Sequence, residues 1–291
     1  MSANLLSTLA RRQWLVSRVF LGLGIVLAAG YWYLLTSSGG SPVDALAYWS
    51  ANPQDLYPHP ELLQQNGYNY SPAWEIAIGW GRNLPFEMFV AIWRALLLVT
   101  LVWLAGPLTV FVLFIPPVAT EVNAANIQFL LAAAIVLGFR KPEWWAGTWA
   151  FVLLTKVSPG IGLLWFALRR EWRHLAWAIG VTAVIVAVTF VIWPDRWFGW
   201  ARLLTAGSPP PVSPYYWSIW LRLPFALAFV VLGAWRGWRW PVVVAGTLAL
   251  PVFFFLSPSM LVGVLPFLRT ATGRWLAART GAAGAPGAAT T

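Results

Sequence analysis

The chain has 291 residues, of which 59% are hydrophobic and only 10% are charged. Soluble domains carry about 25% charged residues, so this composition excludes a water-facing globular protein. The net charge of +10 lies mainly in arginine clusters at the ends of apolar segments, a pattern that favours the loops of a membrane protein over a nucleic-acid-binding surface. We therefore expect the lipid bilayer, and no nucleic acid, as a partner. The absence of cysteine excludes disulfides, thiolate metal sites and cysteine catalysis.

Recurring apolar runs predict an all-α polytopic membrane protein with about ten transmembrane or re-entrant helices. The first run, Val16–Thr36, is too long for the core of a signal peptide, and the basic pair Arg11 and Arg12 precedes it. It predicts an uncleaved first span with residues 1–15 in the cytoplasm and a large outer loop over residues 37–70. The membrane domain is predicted to extend over residues 16–269, followed by a disordered cytoplasmic tail, 270–291.

Between these ends the pattern alternates short and long helices. The segment Trp144–Leu168 has basic residues at both ends, which predicts two short helices meeting at Thr155–Pro159, with Lys156 raised toward the outer side. Pro194–Pro214 is predicted to be a second, proline-rich outer loop. The other predicted elements are a short helix near Ser71–Trp80, a span Phe86–Leu104, a re-entrant or incomplete segment Pro107–Ile115, a helix Phe129–Phe139, spans at Leu175–Trp193, Tyr215–Ala234 and Pro241–Leu256, and a short last helix ending at Arg269.

The outer loop holds the leading candidate for chemistry, Asp44. Tyr48 and Trp49 follow at helical spacing, so that Asp44 and Tyr48 would share one helix face. A carboxylate beside aromatic rings can take a proton from a sugar hydroxyl while the rings stack on the sugar. The alternative is a solvated loop acid or a helix cap.

Further along the same loop stand Asp55 and Tyr57, then Tyr70. These residues are candidates for contact with a sugar, and the alternative for the tyrosines is anchoring at the membrane interface. His59, between two prolines, could titrate near neutral pH, although a turn residue is the commoner explanation.

Lys156 is the most conspicuous charge inside an apolar hairpin. An ammonium there is costly and requires a partner or a function. A phosphate group is a natural partner; the alternative is snorkelling to the interface. Glu121 with Asn126 and Gln128 forms a polar patch that could line a cavity or join helices by hydrogen bonds.

No phosphate-binding glycine loop, dinucleotide glycine pattern, zinc-binding His-Glu-x-x-His or nucleophile elbow occurs in the sequence. We therefore expect neither a metal site nor a nucleotide-dependent reaction.

The order and spacing of these short motifs resemble glycosyltransferase family 87, the bacterial polyprenyl-phosphate-mannose-dependent mannosyltransferases, over about residues 16–268. The chain looks most similar to the compact actinobacterial members. The pieces that carry the resemblance are Asp44-x3-Tyr48-Trp49, Asp55-Leu-Tyr57, Tyr68-Asn-Tyr70-Ser-Pro72, Asn126-Ile-Gln128, Leu154-Thr-Lys156-Val-Ser-Pro159 and Arg169-Arg-Glu-Trp-Arg173. Ala125 stands where a glycine is expected before Asn126.

The resemblance implies a C-type glycosyltransferase fold in the plasma membrane with an outward-facing active site. It implies inverting transfer of a hexose, mannose above all, from a polyprenyl-phosphate sugar to a glycolipid or glycan of the cell envelope, with no cofactor. Asp44 falls at the position of the family's proposed base. We infer in addition that Lys156 neutralises the donor phosphate, with sugar or acceptor contacts from Tyr48, Trp49, Asp55, Tyr57, Tyr70, Asn126 and Gln128.

Two other functions stay open from the sequence. A transporter or lipid flippase would normally have paired repeats with broken helices in corresponding halves, and no internal repeat occurs here. A catalytically inactive membrane scaffold is compatible with the same residues.

Overall fold

The computed structural model describes residues 3–58, 67–140, 142–206 and 218–270. Within these ranges the chain is helical and has no β-strand. The α-helices are α1 (Ala3–Ser38), α2 (Val43–Trp49), α3 (Pro72–Ile78), α4 (Phe86–Ala105), α5 (Thr109–Val112), α6 (Pro116–Ala124), α7 (Gln128–Arg140), α8 (Pro142–Trp145), α9 (Trp149–Thr155), α10 (Leu164–Leu168), α11 (Trp172–Ile192), α12 (Pro194–Thr205), α13 (Ile219–Arg236) and α14 (Trp240–Leu248). Five 3₁₀ helices join them, at Gly79–Asn83, Gly106–Leu108, Ala146–Thr148, Ser158–Leu163 and Ser257–Val264.

Four described segments are long and apolar enough to cross a membrane. These are Arg12–Ser38, Phe86–Val112, Trp172–Ile192 and Ile219–Arg236. A fifth candidate is the pair α6 and α7, which would form one span bent by 106°. The all-helical membrane architecture is thus confirmed, whereas the estimate of about ten membrane helices is not. Pro116, Pro159 and Pro241 occupy the first turns of their helices and divide the apolar sequence into pieces too short to span alone.

The core lies where α4, α7, α14 and the 3₁₀ helix Ser257–Val264 pack together. Leu97, Phe129, Ile135, Val243 and Met260 are almost completely buried there. Helices α1 and α11 instead expose most of their apolar residues. This is the pattern of helices that face lipid around a packed interior.

Arg94, in the middle of α4, fixes the end of the first helix. Its guanidinium donates to the carbonyls of Leu35 and Gly39 in and after α1 and to that of Asn123 in α6. Gly40 has a φ of +60°, and an added Cβ would come within 2.7 Å of Arg94. The glycine therefore allows the chain to leave α1 while the buried arginine satisfies carbonyls that have no partner within the helix.

The bend between α6 and α7 centres on Ala125. Its backbone is left-handed, with φ 56° and ψ 44°, and its side chain is fully buried. The expectation of a glycine at this position was therefore conformationally sound, because only glycine adopts this region without steric cost. The Trp93 indole donates to the Ala125 carbonyl at 2.9 Å and helps to hold the bend.

Arginines also satisfy carbonyls at the opposite end of the bundle. Arg269 donates to the carbonyls of Trp103 and Leu104 near the end of α4. Arg239 donates to Phe139 near the end of α7 at 2.7 Å. Cations are favourable at helix C-termini, and in a membrane these carbonyls have few other donors.

One predicted span was wrong, and the predicted second loop contains a helix. The described part of Pro194–Pro214 lies between two candidate spans and includes α12, because Pro194 suits the first helical position and Asp195 lies in the first turn. The span expected at Pro241–Leu256 begins as helix α14 but ends at Leu248. The Arg222 guanidinium hydrogen-bonds the carbonyls of Leu248 and Leu250, so the backbone that leaves the helix is satisfied inside the protein.

The break predicted within Trp144–Leu168 is confirmed, with α9 ending at Thr155 and a 3₁₀ helix beginning at Ser158. His59 and nearly all of the predicted disordered tail lie outside the described residues.

Candidate functional site

The candidate site begins with the short helix α2 inside the predicted outer loop. Asp44 lies in its first turn and Tyr48 one turn later, as their spacing predicts. Ala45, Ala47 and Tyr48 are buried against the protein. The helix is therefore packed against the bundle rather than standing free in water.

Asp44 is half-buried, and its carboxylate forms no hydrogen bond or ion pair with any described residue. Burial raises the pKa of Asp44 to about 6, while the positive charge of Lys156 acts in the opposite direction. The result is a carboxylate that is ionised at neutral pH and free to accept a proton. A general base needs this combination.

Lys156 reaches the loop from the break after α9. Its backbone is extended, with φ −141° and ψ 104°, so the chain turns away from the helix at this residue. The Ser71 amide at the end of the loop donates to the Leu154 carbonyl at 3.3 Å, which joins the loop to the end of α9. The charges of Asp44 and Glu121 both act on Lys156, yet no carboxylate lies within 4.0 Å of its ammonium among the described residues.

Glu121 forms a second polar centre beside this lysine. Its Oε1 accepts a hydrogen bond from the Gln128 amide at 2.6 Å and so caps the first turn of α7. Asn126 turns its side-chain oxygen to the Ile127 amide at 2.7 Å. Asn126 and Gln128 are both buried, and the hydrogen bonds they make at this bend are local ones.

Three buried oxygens around this centre make no hydrogen bond of standard geometry with the described protein: Glu121 Oε2, Gln128 Oε1 and Ser259 Oγ. The Ser259 hydroxyl, from the last 3₁₀ helix, is nevertheless close enough to interact with the Glu121 carboxylate. Gln128 Oε1 is left unpaired, and because an unpaired buried oxygen is costly, it is available to a polar ligand.

Aromatic side chains form the wall between Asp44 and the bundle. The hydroxyls of Tyr48 and Tyr70 are hydrogen-bonded at 3.0 Å, and their rings meet edge to face. Trp74 and Trp93 pack around Tyr48. Burial raises the pKa of both tyrosines, and the charge of Asp44 raises it further. Both phenols therefore stay protonated near neutral pH.

The other residues predicted to contact a sugar differ in their hydrogen bonds and in their exposure. Tyr57 donates its hydroxyl proton to the Tyr70 carbonyl at 2.6 Å, and Trp49 donates to the Leu84 carbonyl at 3.0 Å. Asp55 is exposed in a turn and has no described contact with Asp44. Tyr48 and Tyr70 are 1% and 7% exposed, so little of either ring is open to a sugar in this conformation.

Sequence reasoning missed a charge cluster next to this wall. Glu75 in α3 is buried and bridges Arg82 at 2.7 Å and Arg196 of α12 at 3.3 Å. Tyr57 lies close to this cluster, since the charges of both Glu75 and Arg196 act on its phenol. An acid within an apolar helix was the available signal, but its second partner is 121 residues further along the chain.

The described residues contain no group of three or more histidine, aspartate or glutamate side chains that could hold a metal ion. Lys156 is instead the group suited to an anion, because its side chain presents three N–H donors and no carboxylate pairs with it among the described residues.

A family model for glycosyltransferase family 87 matches residues 84–258, which is more than half of the chain. No curated protein and no solved structure matches the chain. The match includes Asn126, Gln128 and Lys156, whereas Asp44 and the rest of residues 37–70 precede it. The expected membership of this family is thereby confirmed. With its apolar spanning helices and this match, the chain belongs to glycosyltransferase family 87 and is a membrane glycosyltransferase.

Proposed function

We propose that the protein transfers a hexose, mannose above all, from a polyprenyl-phosphate sugar to a hydroxyl of a glycolipid or glycan of the cell envelope. The observation that carries the proposal is the pairing of two unsatisfied charges. Asp44 has no described hydrogen-bonding partner, and Lys156 acts on it electrostatically without an ion pair. A base and a cation held apart in this way leave room for the reacting groups between them.

In the proposed reaction Asp44 accepts the proton of the acceptor hydroxyl. The hydroxyl oxygen forms a bond to the anomeric carbon as the bond from that carbon to the phosphate oxygen breaks. The configuration at the anomeric carbon inverts, and the polyprenyl phosphate leaves with the electron pair. Lys156 stabilises the negative charge that develops on the phosphate, an interaction that strengthens in the transition state.

Asp44 is a better base than the two other buried acids nearby. Glu121 is fully buried and holds the first turn of α7 through the Gln128 amide. Glu75 is neutralised by Arg82 and Arg196. Of these three acids, only Asp44 has a half-exposed carboxylate that is unpaired among the described residues and interacts electrostatically with Lys156.

The aromatic wall then has a positioning role. The hydroxyls of Tyr48 and Tyr70 are hydrogen-bonded to each other, and the Tyr57 hydroxyl donates to the Tyr70 carbonyl. These bonds make the aromatic wall beside Asp44 rigid. Trp49, on the same helix as Asp44, is only half-buried and is the more accessible ring for a sugar face. We assign Trp49 and Tyr57 to sugar or acceptor contacts on this basis.

We further propose that this site faces outward, with the arginine-rich end of the bundle in the cytoplasm. The support is the distribution of charge: Arg140, Arg169, Arg239 and Arg269 all lie at the ends of helices away from α2. The donor lipid is then met from the outer leaflet.

The test is transfer of labelled mannose from polyprenyl-phosphate mannose by the purified full chain, with a panel of envelope glycolipids as acceptors. Asp44→Asn removes the base with little change in volume, and we expect the transfer rate to fall by about 10²- to 10⁴-fold. Glu87→Gln is the matched control, because Glu87 is an exposed acid in the first turn of α4. Its transfer rate should stay within about twofold of the wild-type rate, since it touches none of the proposed groups.

Transfer that survives Asp44→Asn would remove Asp44 from its role as base. Absence of transfer from any polyprenyl-phosphate sugar to any acceptor would instead favour an inactive scaffold. Movement of the labelled lipid between leaflets without glycosyl transfer would favour a flippase.

A further inference from the structure

A cavity of about 770 Å³ lies at the end of the bundle opposite Asp44. Helix α4 starts beside the outer loop, where Trp49 bonds to the Leu84 carbonyl, and ends at Ala105 next to Trp103 of the cavity wall. A helix of 20 residues is about 30 Å long. The cavity is therefore separated from the candidate active site by the length of a membrane span.

Three arginines from separate parts of the chain line this cavity. Arg140 ends α7, Arg239 immediately precedes α14, and Arg269 lies in the helical segment 265–270. No acidic side chain belongs to the described lining. The cavity therefore concentrates positive charge without an acid in its wall.

The three arginines differ in their hydrogen bonds to the protein. Arg239 and Arg269 hold the last carbonyls of α7 and α4, so part of their role is structural. Arg140 is exposed and forms no hydrogen bond or ion pair with the described residues. Hydrogen bonding to helix ends therefore explains Arg239 and Arg269 but not the guanidinium of Arg140.

Aromatic rings set the depth of this cavity in the membrane. Trp103, Trp238 and Trp240 belong to its lining, and Trp238 and Trp240 stack with ring centroids 6.1 Å apart. Tryptophan is enriched at the level of lipid headgroups. Arginine beside tryptophan at this depth meets lipid phosphates rather than soluble anions.

We propose that this arginine cavity binds the phosphate headgroup of an anionic phospholipid from the leaflet opposite the active site. The guanidinium of Arg140 contacts the phosphate in two parallel hydrogen bonds, a geometry that arginine offers and lysine does not. Arg239 and Arg269 add charge while keeping their carbonyl bonds. The bound lipid would cross-link the ends of α4, α7 and the segment before α14.

The test uses the full chain in an uncharged detergent and measures the unfolding temperature and lipid retention by native mass spectrometry. Phosphatidylglycerol should raise the unfolding temperature saturably, because a ligand that binds the folded state stabilises it. Phosphatidylcholine with the same acyl chains and inorganic phosphate should not. Arg140→Gln should weaken phosphatidylglycerol binding about tenfold, through the loss of charge-assisted hydrogen bonds.

Arg12→Gln is the matched control. Arg12 lies at the same end of the bundle beside Pro107 and Phe111, but outside the cavity. Its replacement removes one positive charge and should change the affinity less than twofold. Equal weakening by Arg12→Gln and Arg140→Gln would overturn the site in favour of general surface charge. Equal binding of phosphatidylcholine, or stabilisation by inorganic phosphate alone, would overturn the assignment to an anionic lipid.

Discussion

Two acids in the part of the chain between α1 and α4 differ in how their carboxylates are paired: Glu75 is buried, and Asp44 is half-buried. Glu75 is held by two arginines, which satisfy both of its oxygens. Asp44 has no hydrogen-bonding partner among the described residues, and burial raises its pKa to about 6. Tyr57 and Tyr70 connect the two surroundings through a hydrogen bond of 2.6 Å.

The difference separates an acid that stabilises from an acid that can react. A buried carboxylate paired with arginines is firmly ionised and contributes to the packing of its neighbours. A partly buried carboxylate left unpaired costs free energy in the native state, and such costs are typical of functional sites. The contrast predicts that the two acids give opposite results when each is replaced by its amide.

The largest effect on stability should come from Glu75→Gln. It leaves Arg82 and Arg196 without their carboxylate, and breaking a buried ion pair costs about 3 kcal/mol or more of unfolding free energy. Thermal unfolding of the purified chain in detergent measures the loss. An unchanged unfolding temperature in Glu75→Gln would contradict the stabilising role assigned to the Glu75 ion pairs. Glu87→Gln controls for the loss of an exposed acid.

Lys156→Met should lower the transfer rate by about 10²-fold, because the leaving phosphate loses its counter-charge. The same variant should raise the pKa of Asp44, since the lysine charge now lowers it. The acid limb of the pH–rate profile would then move to higher pH. Asp195→Asn, at an exposed residue of α12, is the control for a change of one charge. An acid limb that stays in place would show that Lys156 does not act on the base.

Asp44→Asn should stabilise the protein above pH 6 and have little effect at pH 4. The pKa of Asp44 is raised in the folded state from 3.8 to about 6. The stability that its protonated form contributes is therefore present below the unfolded pKa and is lost as the pH rises through the folded pKa. Asparagine stays neutral, so the advantage of the variant should appear between these values and persist above them. Unfolding temperatures measured from pH 4 to pH 8 test this, and a variant less stable than wild type at pH 8 would contradict it.

The smallest effect should come from Tyr57→Phe. It removes the hydrogen bond to the Tyr70 carbonyl and should cost about 1 kcal/mol of unfolding free energy. Because this bond connects the surroundings of Glu75 and Asp44, a loss of transfer by several-fold should accompany it. Tyr33→Phe controls for the removal of a phenol, since Tyr33 is exposed on α1. Unfolding temperature and transfer rate together distinguish a local change from general damage.

The sequence was sufficient where the signal was local. Asp44 and Tyr48 one turn apart predicted helix α2, and Pro159 with its flanking basic residues predicted the break at Lys156. Even the glycine expected at Ala125 reflected a real feature, since the backbone there is left-handed. Each of these depends on a few neighbouring residues.

What the sequence could not supply were partners that are distant in the chain. Arg94 holds the end of α1 from the middle of α4, and Arg196 reaches Glu75 across 121 residues. Helix α12 was not foreseen within the predicted second loop, because the proline content of the segment was considered without the position of Pro194, which is the first turn. Long-range pairing and the position of a proline in a helix both depend on the packed structure.

The role of Asp44 as the base is tested most directly by the pH dependence of kcat/KM for mannosyl transfer in wild type and Asp44→Asn. The proposed donor, polyprenyl-phosphate mannose, is a phosphodiester whose charge is constant from pH 4 to pH 8. We expect the wild-type value to fall about tenfold per pH unit below about pH 6, as Asp44 takes up a proton. The small residual rate of Asp44→Asn should lack this fall at acid pH. A wild-type profile that stays flat through pH 6, or the same limb in Asp44→Asn, would contradict the assignment of Asp44 as the base.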